Sequence, residues 1–228
     1  MKTRTQSEQP SAPSHGSAGR VYSGAGLDLA MVGGGGHALV VSDAATAGGW
    51  AIDGVYDDDA HAPTASIAVR LGPIAAACSG EDPDSRRYIL AMGHLGLRER
   101  LITTLHGPWG TVVHPRAWVS PIAVVREGVF VGAMAVVQGR ATVGRHAIVN
   151  TGAIVEHDCV VADNVHIAPG AVLGGAVMVG SHTLVGLGSR VLPGVRIGSR
   201  CVVGTGAAVI RDVPDGATVV GVPARVMR

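Results

Sequence analysis

The sequence places one histidine between two carboxylates, at Glu156-His157-Asp158. A neighbouring carboxylate orients an imidazole ring and raises its basicity, which is the arrangement expected of a general base. A surface histidine in an acidic turn has the same local sequence, and spacing alone does not separate the two readings. This tripeptide is the first candidate for proton transfer.

A second group of candidates follows three predicted strands near the start of the chain. Gly33 to Gly36 precede His37, and such a run lets the backbone approach a diphosphate at a helix start. The run departs from the G-x-G-x-x-G pattern of dinucleotide-binding sites. Asp57-Asp58 and Gly93-His94 follow the other two strands, where open α/β sheets bind ligands. A plain turn and a solvated acidic loop are the alternative readings.

The tripeptide Glu156-His157-Asp158 lies within a six-residue repeat in the second half of the chain. Residues 117 to 212 divide into sixteen hexapeptides without an insertion. The third residue of each hexapeptide is aliphatic, and the first is Ala, Val, Cys, Thr or Ser. This pattern predicts a left-handed parallel β-helix. Three hexapeptides make one triangular coil, and coils stack about 4.8 Å apart.

The eighteen-residue coil predicts which residues lie above one another. Gly175 lies directly above His157, whereas His166 follows His157 by half a coil and lies on the opposite side of the prism. If both histidines serve one site, different subunits must supply them, and a homotrimer with sites between prisms satisfies this geometry. A column without side chains, along which an extended ligand arm can run, consists of Gly152, Gly170, Gly188 and Gly206.

Two further histidines raise the question of a metal site. His146 and His182 are two coils apart and stack on one edge of the predicted prism. Some left-handed β-helices, which resemble the γ-class carbonic anhydrases, bind zinc, and their pattern has another histidine five residues after the second. This sequence has Leu187 there, so we expect no metal.

The first half of the chain alternates strands with helices, which indicates a small parallel α/β sheet. We predict strands at 27–32, 51–56, 88–92 and 111–113, and helices at 37–45 and 97–105. The predicted domains are a disordered tail at 1–23, a Rossmann-like α/β domain at 24–116, the β-helix at 117–213 and a C-terminal segment at 214–228.

Composition excludes several classes of protein. The 228 residues include 34 glycines and 3% aromatic residues, which suits a narrow prism filled by Val and Ala. The net charge of +1 argues against a nucleic-acid partner. Three widely spaced cysteines indicate a reducing compartment. We read neither a signal peptide nor a membrane span, and we expect a cytoplasmic protein.

Three segments carry a resemblance to a known family. The run from Asn150 to Asp158, the ending Gly221-Val222-Pro223-Ala224-Arg225 and the run from Gly33 to Ala38 resemble the NeuD/PglD family of hexapeptide-repeat sugar acetyltransferases. The resemblance covers residues 25 to 228. It implies acetyl-CoA as co-substrate, a nucleotide-linked amino sugar bound by the Rossmann-like domain, active sites between the subunits of a homotrimer and a place in surface polysaccharide biosynthesis.

The resemblance also implies roles for individual residues of the β-helix. His157 matches the catalytic base, Asp158 matches its acidic partner and Asn150 matches a polar residue near the acceptor sugar. His166 and the Gly175 N–H match groups at the acetyl thioester. The residues placed along the CoA arm or near the CoA nucleotide are Leu187, Thr205, Gly206, Pro223 and Arg225.

In the Rossmann-like domain, Asp57 and Asp58 match an acidic pair near the nucleoside. Together with the strand-end residues, the predicted substrate-binding set is Gly35, Gly36, His37, Asp57, Asp58 and Gly93.

The preferred function is direct acetyl transfer to a nucleotide-linked amino sugar, such as a 4-amino-4,6-dideoxy sugar, with His157 as general base and no covalent enzyme intermediate. Cys159 and Cys201 occupy the packed first position of their hexapeptides, which disfavours them as nucleophiles. The alternatives are a sialic acid O-acetyltransferase and a non-catalytic β-helix scaffold. The residues do not distinguish UDP, GDP and dTDP.

Overall fold

The computed structural model describes Gly24, residues 27–78 and residues 86–227. The tail predicted to be disordered, residues 1–23, lies outside the described residues. Within the described part, the chain forms a small parallel α/β sheet followed by a long stack of two-residue strands. The predicted fold class, a Rossmann-like α/β domain followed by a left-handed parallel β-helix, is confirmed.

The α/β part is a parallel sheet in the order β3-β2-β1-β4. Its core strand β1 is apolar and buried: Leu29 and Met31 pack in one cluster with Ala38 of the first helix, and Val32 packs in a second cluster. The elements are β1 (Asp28–Val32), α1 (Gly36–Ala47), β2 (Ala51–Tyr56), a 3-10 helix (Pro63–Ser66), β3 (Arg70–Gly72), α2 (Ile74–Cys78), β4 (Arg86–Leu90) and α3 (Leu95–Thr104).

The strands of the β-helix occupy the second and third residues of the hexapeptides. They form three sheets of parallel strands, which are the three faces of the prism. Face 1 contains β5 (Val112–Val113), β8 (Phe130–Val131), β11 (Ile148–Val149), β14 (His166–Ile167), β17 (Leu184–Val185), β20 (Val202–Val203), β22 (Thr218–Val220) and the antiparallel β23 (Arg225–Val226). Face 2 contains β6 (Trp118–Val119), β9 (Val136–Val137), β12 (Ile154–Val155), β15 (Val172–Leu173), β18 (Arg190–Val191) and β21 (Ala208–Val209). Face 3 contains β7 (Val124–Val125), β10 (Thr142–Val143), β13 (Val160–Val161), β16 (Met178–Val179) and β19 (Arg196–Ile197).

The turns between the faces form three edges, which we call the 1–2, 2–3 and 3–1 edges after the faces that they join. From Gly128 to Gly206, the sixth residue of every hexapeptide in these turns has a positive φ. Glycine adopts this left-handed conformation without a steric cost, yet Arg140, Asp158 and Asn164 adopt it as well. The sixth residues of one edge stack at intervals of eighteen, so their side chains form columns along the prism.

The interior of the prism confirms the predicted pattern. The aliphatic third residues and the small first residues pack into one continuous core, for example Val143, Ala147 and Ile167. The regular step of eighteen residues holds from Trp118 to Ala208. It falls to sixteen at the end, where Val202 pairs with Thr218.

Two expectations about the α/β part need correction. The strand predicted at 111–113 does not belong to the α/β sheet: Val112 pairs with Phe130 and opens face 1 of the β-helix, because residues 111–116 also follow the hexapeptide pattern. The sequence reading also missed β3 and α2, which are short and only partly buried. The strand predicted at 51–56 has the predicted bounds, and the ends of the other elements differ from prediction by at most two residues.

The two parts pack against each other. Phe130 and Ile148 point outward from face 1 and join the core formed by β1, β4 and α1. Helix α3 runs beside the 3–1 edge, where Glu99 pairs with Arg200. None of the helices in the described part of the chain is long and apolar enough to cross a membrane.

Candidate functional site

His157 lies on the 2–3 edge, in the turn between β12 and β13, with 63% of its side chain exposed. Its Nδ1 is 2.7 Å from Asp158 Oδ2. Hydrogen bonds from Arg140 and then from His157 hold the pKa of Asp158 well below its usual range, so this carboxylate is ionised and only accepts hydrogen bonds. The Nδ1 atom therefore carries the proton, which leaves the lone pair of the neutral ring on Nε2.

Arg140 lies one coil below Asp158 on the same edge. Its Nε donates to Asp158 Oδ1 at 2.6 Å, and its Nη2 donates to Oδ2 at 2.8 Å. Glu156 has a different partner, because its Oε2 accepts from the backbone N–H of His157 at 3.4 Å. Asp158 therefore orients the ring, whereas Glu156 contacts only the main chain.

Gly175 lies directly above His157, as the eighteen-residue step predicts. A Cβ at Gly175 would be 2.7 Å from both Nε2 and Cε1 of His157. The ring can occupy this position because residue 175 has no side chain. The Gly175 N–H makes no hydrogen bond within the described part of the chain. The edge thus presents a ring nitrogen and a backbone donor side by side.

The glycine column lies on a different edge, the 1–2 edge. Gly152, Gly170, Gly188 and Gly206 all have positive φ, and a Cβ at any of them would meet no atom within 4 Å. Other columns place Arg, Asp or Asn in this conformation, so the backbone alone does not require glycine here. The column spans three coil steps, about 14 Å, and forms an open track.

The other residues predicted to bind CoA share that edge. Leu187 is 53% exposed and Thr205 is also exposed, each beside one of the column glycines. The C-terminal segment closes the end of the track, since Ala208 N donates to Gly221 O and Ala224 N donates to Ala208 O. Pro223 and Arg225 are exposed there. Leu187, Thr205 and Gly206 therefore lie on the 1–2 edge, and Pro223 and Arg225 lie beside its C-terminal end.

His166 lies on face 1, at the junction with the α/β part. Its Nε2 is 3.1 Å from Asn150 Nδ2, and its ring is 6.2 Å from that of His37. Gly93 lies against the ring, because a Cβ there would be 3.4 Å from His166 Cε1. The structure therefore brings four predicted residues together, namely Asn150, His166, His37 and Gly93, and places His157 on another edge.

Burial dominates the electrostatics of this junction. Desolvation, followed by the charge of Arg98, lowers the pKa of His166 to about 4, partly opposed by the Gly93 backbone. Desolvation, then His166 and Arg98, lowers the pKa of His37 to about 4 as well. His37 Nε2 is buried and has no hydrogen-bond partner among the described residues. Both rings are neutral at pH 7.

Sequence reasoning missed Arg98, which is the central residue of the junction. This side chain is 1% exposed and donates to Leu90 O, Met92 O, His146 O and Asn164 Oδ1. Burial lowers its pKa to about 9. The available signal was the column of polar sixth residues at His146, Asn164, His182 and Arg200, whose regular spacing marks an edge that receives a polar partner.

The glycine turn of the α/β part divides into two halves. Gly33 and Gly34 are tightly packed, since a Cβ at Gly34 would be 2.6 Å from Thr64 Oγ1. Gly35 and Gly36, at the start of α1, face open space. Asp57 Oδ2 accepts from Gly34 N at 2.5 Å, and Asp58 Oδ1 accepts from Ile74 N at 3.0 Å. Both carboxylates thus shape the loops around the turn, each with acceptor capacity left.

Metal and thiol chemistry find little support in the described residues. Among residues 27–78 and 86–227, no three His, Cys, Asp or Glu side chains are grouped as they would be to hold a metal ion. His146 packs edge-on against Trp109, and His182 Nδ1 is 3.0 Å from Asn164 Nδ2. Burial raises the pKa of the Cys159 thiol to about 11, which makes it a poor nucleophile.

Two family models match the chain. The PglD N-terminal domain matches residues 28–105, and the bacterial transferase hexapeptide of six repeats matches residues 140–175. One match lies in the α/β part and the other within the β-helix, in the same order as in the structure.

Solved structures resemble about nine tenths of the chain, across both parts. A mutant of perosamine N-acetyltransferase from Caulobacter crescentus, in complex with CoA and GDP-perosamine, is 34% identical with a TM-score of 0.82, over 90% of this chain and 98% of that one. The acetyltransferase domain of PglB from Neisseria gonorrhoeae FA1090 is 32% identical with a TM-score of 0.83, over 88% and 99% of the two chains. WeeI from Acinetobacter baumannii AYE, at 23% identity and a TM-score of 0.79, over 88% and 100% of the two chains, shares the fold.

Proposed function

The chain belongs to the NeuD/PglD-like family of hexapeptide-repeat sugar acetyltransferases, and on this premise we propose that it acetylates the amino group of a nucleotide-linked amino sugar. It is an acetyl-CoA-dependent sugar acetyltransferase. The observation that carries the proposal is the 2–3 edge, where Asp158 orients His157 so that its Nε2 lies against Gly175. The similar Caulobacter structure holds CoA and GDP-perosamine, which supports this substrate class.

In the proposed reaction, the 2–3 edge transfers one proton and stabilises one developing negative charge. Acetyl-CoA supplies the acetyl group as a thioester. The sugar amine forms a bond to the acetyl carbon, the carbon–sulfur bond breaks, and CoA leaves as the thiol. His157 Nε2 takes the proton from the amine and returns it to the sulfur, a general-base role worth roughly 100- to 10,000-fold in rate. The Gly175 N–H stabilises the negative charge that develops on the acetyl oxygen.

The open glycines and the C-terminal segment fit an extended thioester arm. Because the track beside Leu187, Thr205 and Gly206 carries no side chains, a narrow chain can lie against the backbone along about 14 Å. We assign this track to the pantetheine arm. Pro223 and Arg225, at the end of the track, are assigned to the CoA nucleotide.

The α/β part is assigned to the nucleotide end of the acceptor. Gly35 and Gly36 present an open backbone at the start of the twelve-residue helix α1, and such a position favours a diphosphate. Asp57 and Asp58 border this turn and retain oxygens that can accept from the base or ribose. His37, Gly93, Asn150 and His166 lie between this turn and the β-helix, on the path toward the sugar.

The position of the candidate residues on separate edges supports an assembly. His157 and Gly175 are on the 2–3 edge, whereas the glycine column is on the 1–2 edge, so one prism does not bring the base and the track together. Faces 2 and 3 also expose apolar side chains, including Trp118, Val160 and Met178, and exposed patches of this kind mark interfaces. We propose a homotrimer in which the 2–3 edge of one subunit meets the 1–2 edge of the next.

The cysteines bear on both mechanism and location. Cys78, Cys159 and Cys201 are all unpaired, and Cys159 and Cys201 are buried in the prism. We therefore propose direct transfer without a cysteine acyl-enzyme, in the reducing environment of the cytoplasm.

A substrate panel tests the proposal. Purified protein is incubated with acetyl-CoA and UDP-, GDP- or dTDP-linked 4-amino sugars, with free sialic acid in parallel, while CoA thiol release and product mass are recorded. The matched control for each sugar is the same nucleotide sugar with a hydroxyl in place of the amine. Acetylation of an amino sugar but not of its hydroxyl analogue is the expected result. Activity on sialic acid alone would show an O-acetyltransferase, and absence of CoA binding by calorimetry would show a scaffold.

A further inference from the structure

Arg140 and Asp158 form a stacked ion pair that follows from the repeat. Both are sixth residues of their hexapeptides, one coil of eighteen residues apart, and both have a left-handed backbone, with φ of 59° and 61°. Their turns are also joined by a hydrogen bond from Asp158 N to Gly139 O at 3.2 Å. The backbone therefore places the guanidinium beneath the carboxylate.

The pair uses both oxygens of Asp158. The guanidinium fork engages Oδ1 at 2.6 Å and Oδ2 at 2.8 Å, and His157 Nδ1 meets the same Oδ2 at 2.7 Å. A two-point contact restrains rotation of a carboxylate in a way that a single-point contact from a lysine does not. With Asp158 restrained, the plane in which it accepts from His157 is set, and so is the direction of Nε2.

Another ion pair on the prism shows what a simple surface contact looks like. Arg145 lies on the 3–1 edge, 57% exposed, and reaches Glu127 Oε1 with one nitrogen at 3.2 Å. Exposed pairs of this kind contribute little to stability. The Arg140 guanidinium is also exposed, at 65%, but its carboxylate partner is the one that contacts His157, so its consequence lies in the chemistry of the edge.

We propose that Arg140 is a positioning residue for acetyl transfer: by holding Asp158 in a two-point contact, it directs His157 Nε2 toward the space beside Gly175. This inference rests on the proposed function, because it assumes that His157 is the base. Arg140 itself need not touch either substrate.

The positive charge of Arg140 also acts on the neighbouring imidazole of His157. The charged groups that face His157 are Asp158 and Glu156 from its own turn and Arg140 from the coil below, while the coil above presents Gly175 and Ala176. A cation favours the neutral form of a nearby imidazole. Loss of Arg140 leaves the charge of Asp158 uncompensated beside the ring, and we expect the acid limb of the pH–rate profile to move to higher pH.

The experiment compares Arg140→Gln with Arg140→Lys and with the matched control Arg145→Gln, in the full chain. We expect Arg140→Gln to lower kcat about 10-fold, to leave the KM of acetyl-CoA and of the amino sugar within about twofold, and to shift the acid limb of the kcat/KM profile up by about 0.5 pH unit. Arg140→Lys keeps the charge but not the fork, so it should restore the acid limb and only part of kcat. Arg145→Gln should match the wild type.

Three results would overturn the inference. The first is Arg140→Gln that matches Arg145→Gln in kcat and in the acid limb. The second is a raised KM at unchanged kcat, which would make Arg140 a substrate ligand. The third is a lower kcat and a lower melting temperature without movement of the acid limb, which would make Arg140 a packing residue. NMR titration of the His157 ring, assigned from its loss in His157→Asn, provides a readout independent of turnover. If His157→Asn retains full activity, the proposed function fails, whereas an unchanged His157 titration in Arg140→Gln contradicts only the inference.

Discussion

Two edges of the same prism carry histidines in opposite environments. On the 3–1 edge and the adjoining face, His146 and His166 are covered by the α/β part, surround the buried Arg98 and have pKa values of about 4. On the 2–3 edge, His157 is exposed and bonded to an ionised carboxylate. The repeat builds both edges from the same turn, so the difference comes from what covers each edge. The covered histidines are packed and desolvated at the junction of the two parts, whereas the ring of His157 is open to solvent.

The variant His157→Ala tests this contrast with the largest expected effect. Because the exposed ring packs on little, we expect activity to fall by roughly 100- to 10,000-fold while the melting temperature changes by less than about 2 °C. Steady-state kinetics and thermal unfolding measure the two effects. Retention of near-wild-type turnover would mean that the exposed edge is not the site of proton transfer.

The opposite result is expected at the covered edge for Arg98→Met. This change leaves Asn164 Oδ1 and three carbonyl oxygens without their donor in a buried place, which should destabilise the fold by about 3 kcal/mol. Arg200→Met is the control, because Arg200 is exposed and pairs with Glu99 on the same edge; its melting temperature should stay within about 2 °C of the wild type. Equal stability of the two variants in urea unfolding would show that Arg98 does not hold the junction.

On the exposed edge, a smaller loss of activity is expected when the His157 ring is displaced than when it is removed. In Gly175→Ala the added methyl group would meet the His157 ring at 2.7 Å, so the ring must move away, and we expect kcat to fall about 30-fold without loss of stability. The comparison variant is Gly194→Ala, which meets no atom within 4 Å but strains a positive φ. That variant should lose about 1 kcal/mol of stability and keep its kcat. An unchanged kcat in Gly175→Ala would remove the steric role assigned to this glycine.

The smallest effect concerns acid pH. A histidine with a pKa of about 4 in the folded chain and 6.5 when unfolded binds more protons in the unfolded state between these values. Its contribution to stability is complete above pH 6.5 and is lost as the pH falls toward 4. Between pH 7.5 and 5.5 we expect a loss of about 1 kcal/mol for each such histidine.

The variant His146→Gln isolates one of these contributions. Urea unfolding at the two pH values should show a pH dependence weaker than that of the wild type by about 1 kcal/mol. A parallel loss in both proteins would show that His146 gains its proton at the same pH in the folded and unfolded chains, contrary to its burial.

Regularity decided what could be predicted from the sequence. A period of six sustained over 96 residues determines register, so the stacking of Gly175 on His157 and the glycine column followed from counting alone. The same count relates Arg140 to Asp158, but a carboxylate beside a histidine draws attention before an arginine eighteen residues earlier. The resemblance added roles that counting does not provide.

The docking of the α/β part on the prism could not be predicted from the sequence. The hydrogen bonds of Arg98 depend on where α3 meets the prism, and no local pattern encodes that contact. For the same reason His166 and His37, 129 residues apart in the chain, could not be paired beforehand. The strand at 112–113 was misassigned because one repeat beside a different domain has no neighbour on its other side to establish its register.

The uninterrupted eighteen-residue step constrains how this chain can change in length. Deleting one residue between His157 and Gly175 would move every later residue to a different place on the triangle, so the glycines, the base and the C-terminal segment would lose their alignment together. Only the removal or addition of a whole coil preserves it, and a whole coil would alter the length of the track by about 4.8 Å. In this protein, insertions and deletions act on chemistry in the way that a shifted reading frame acts on a coding sequence.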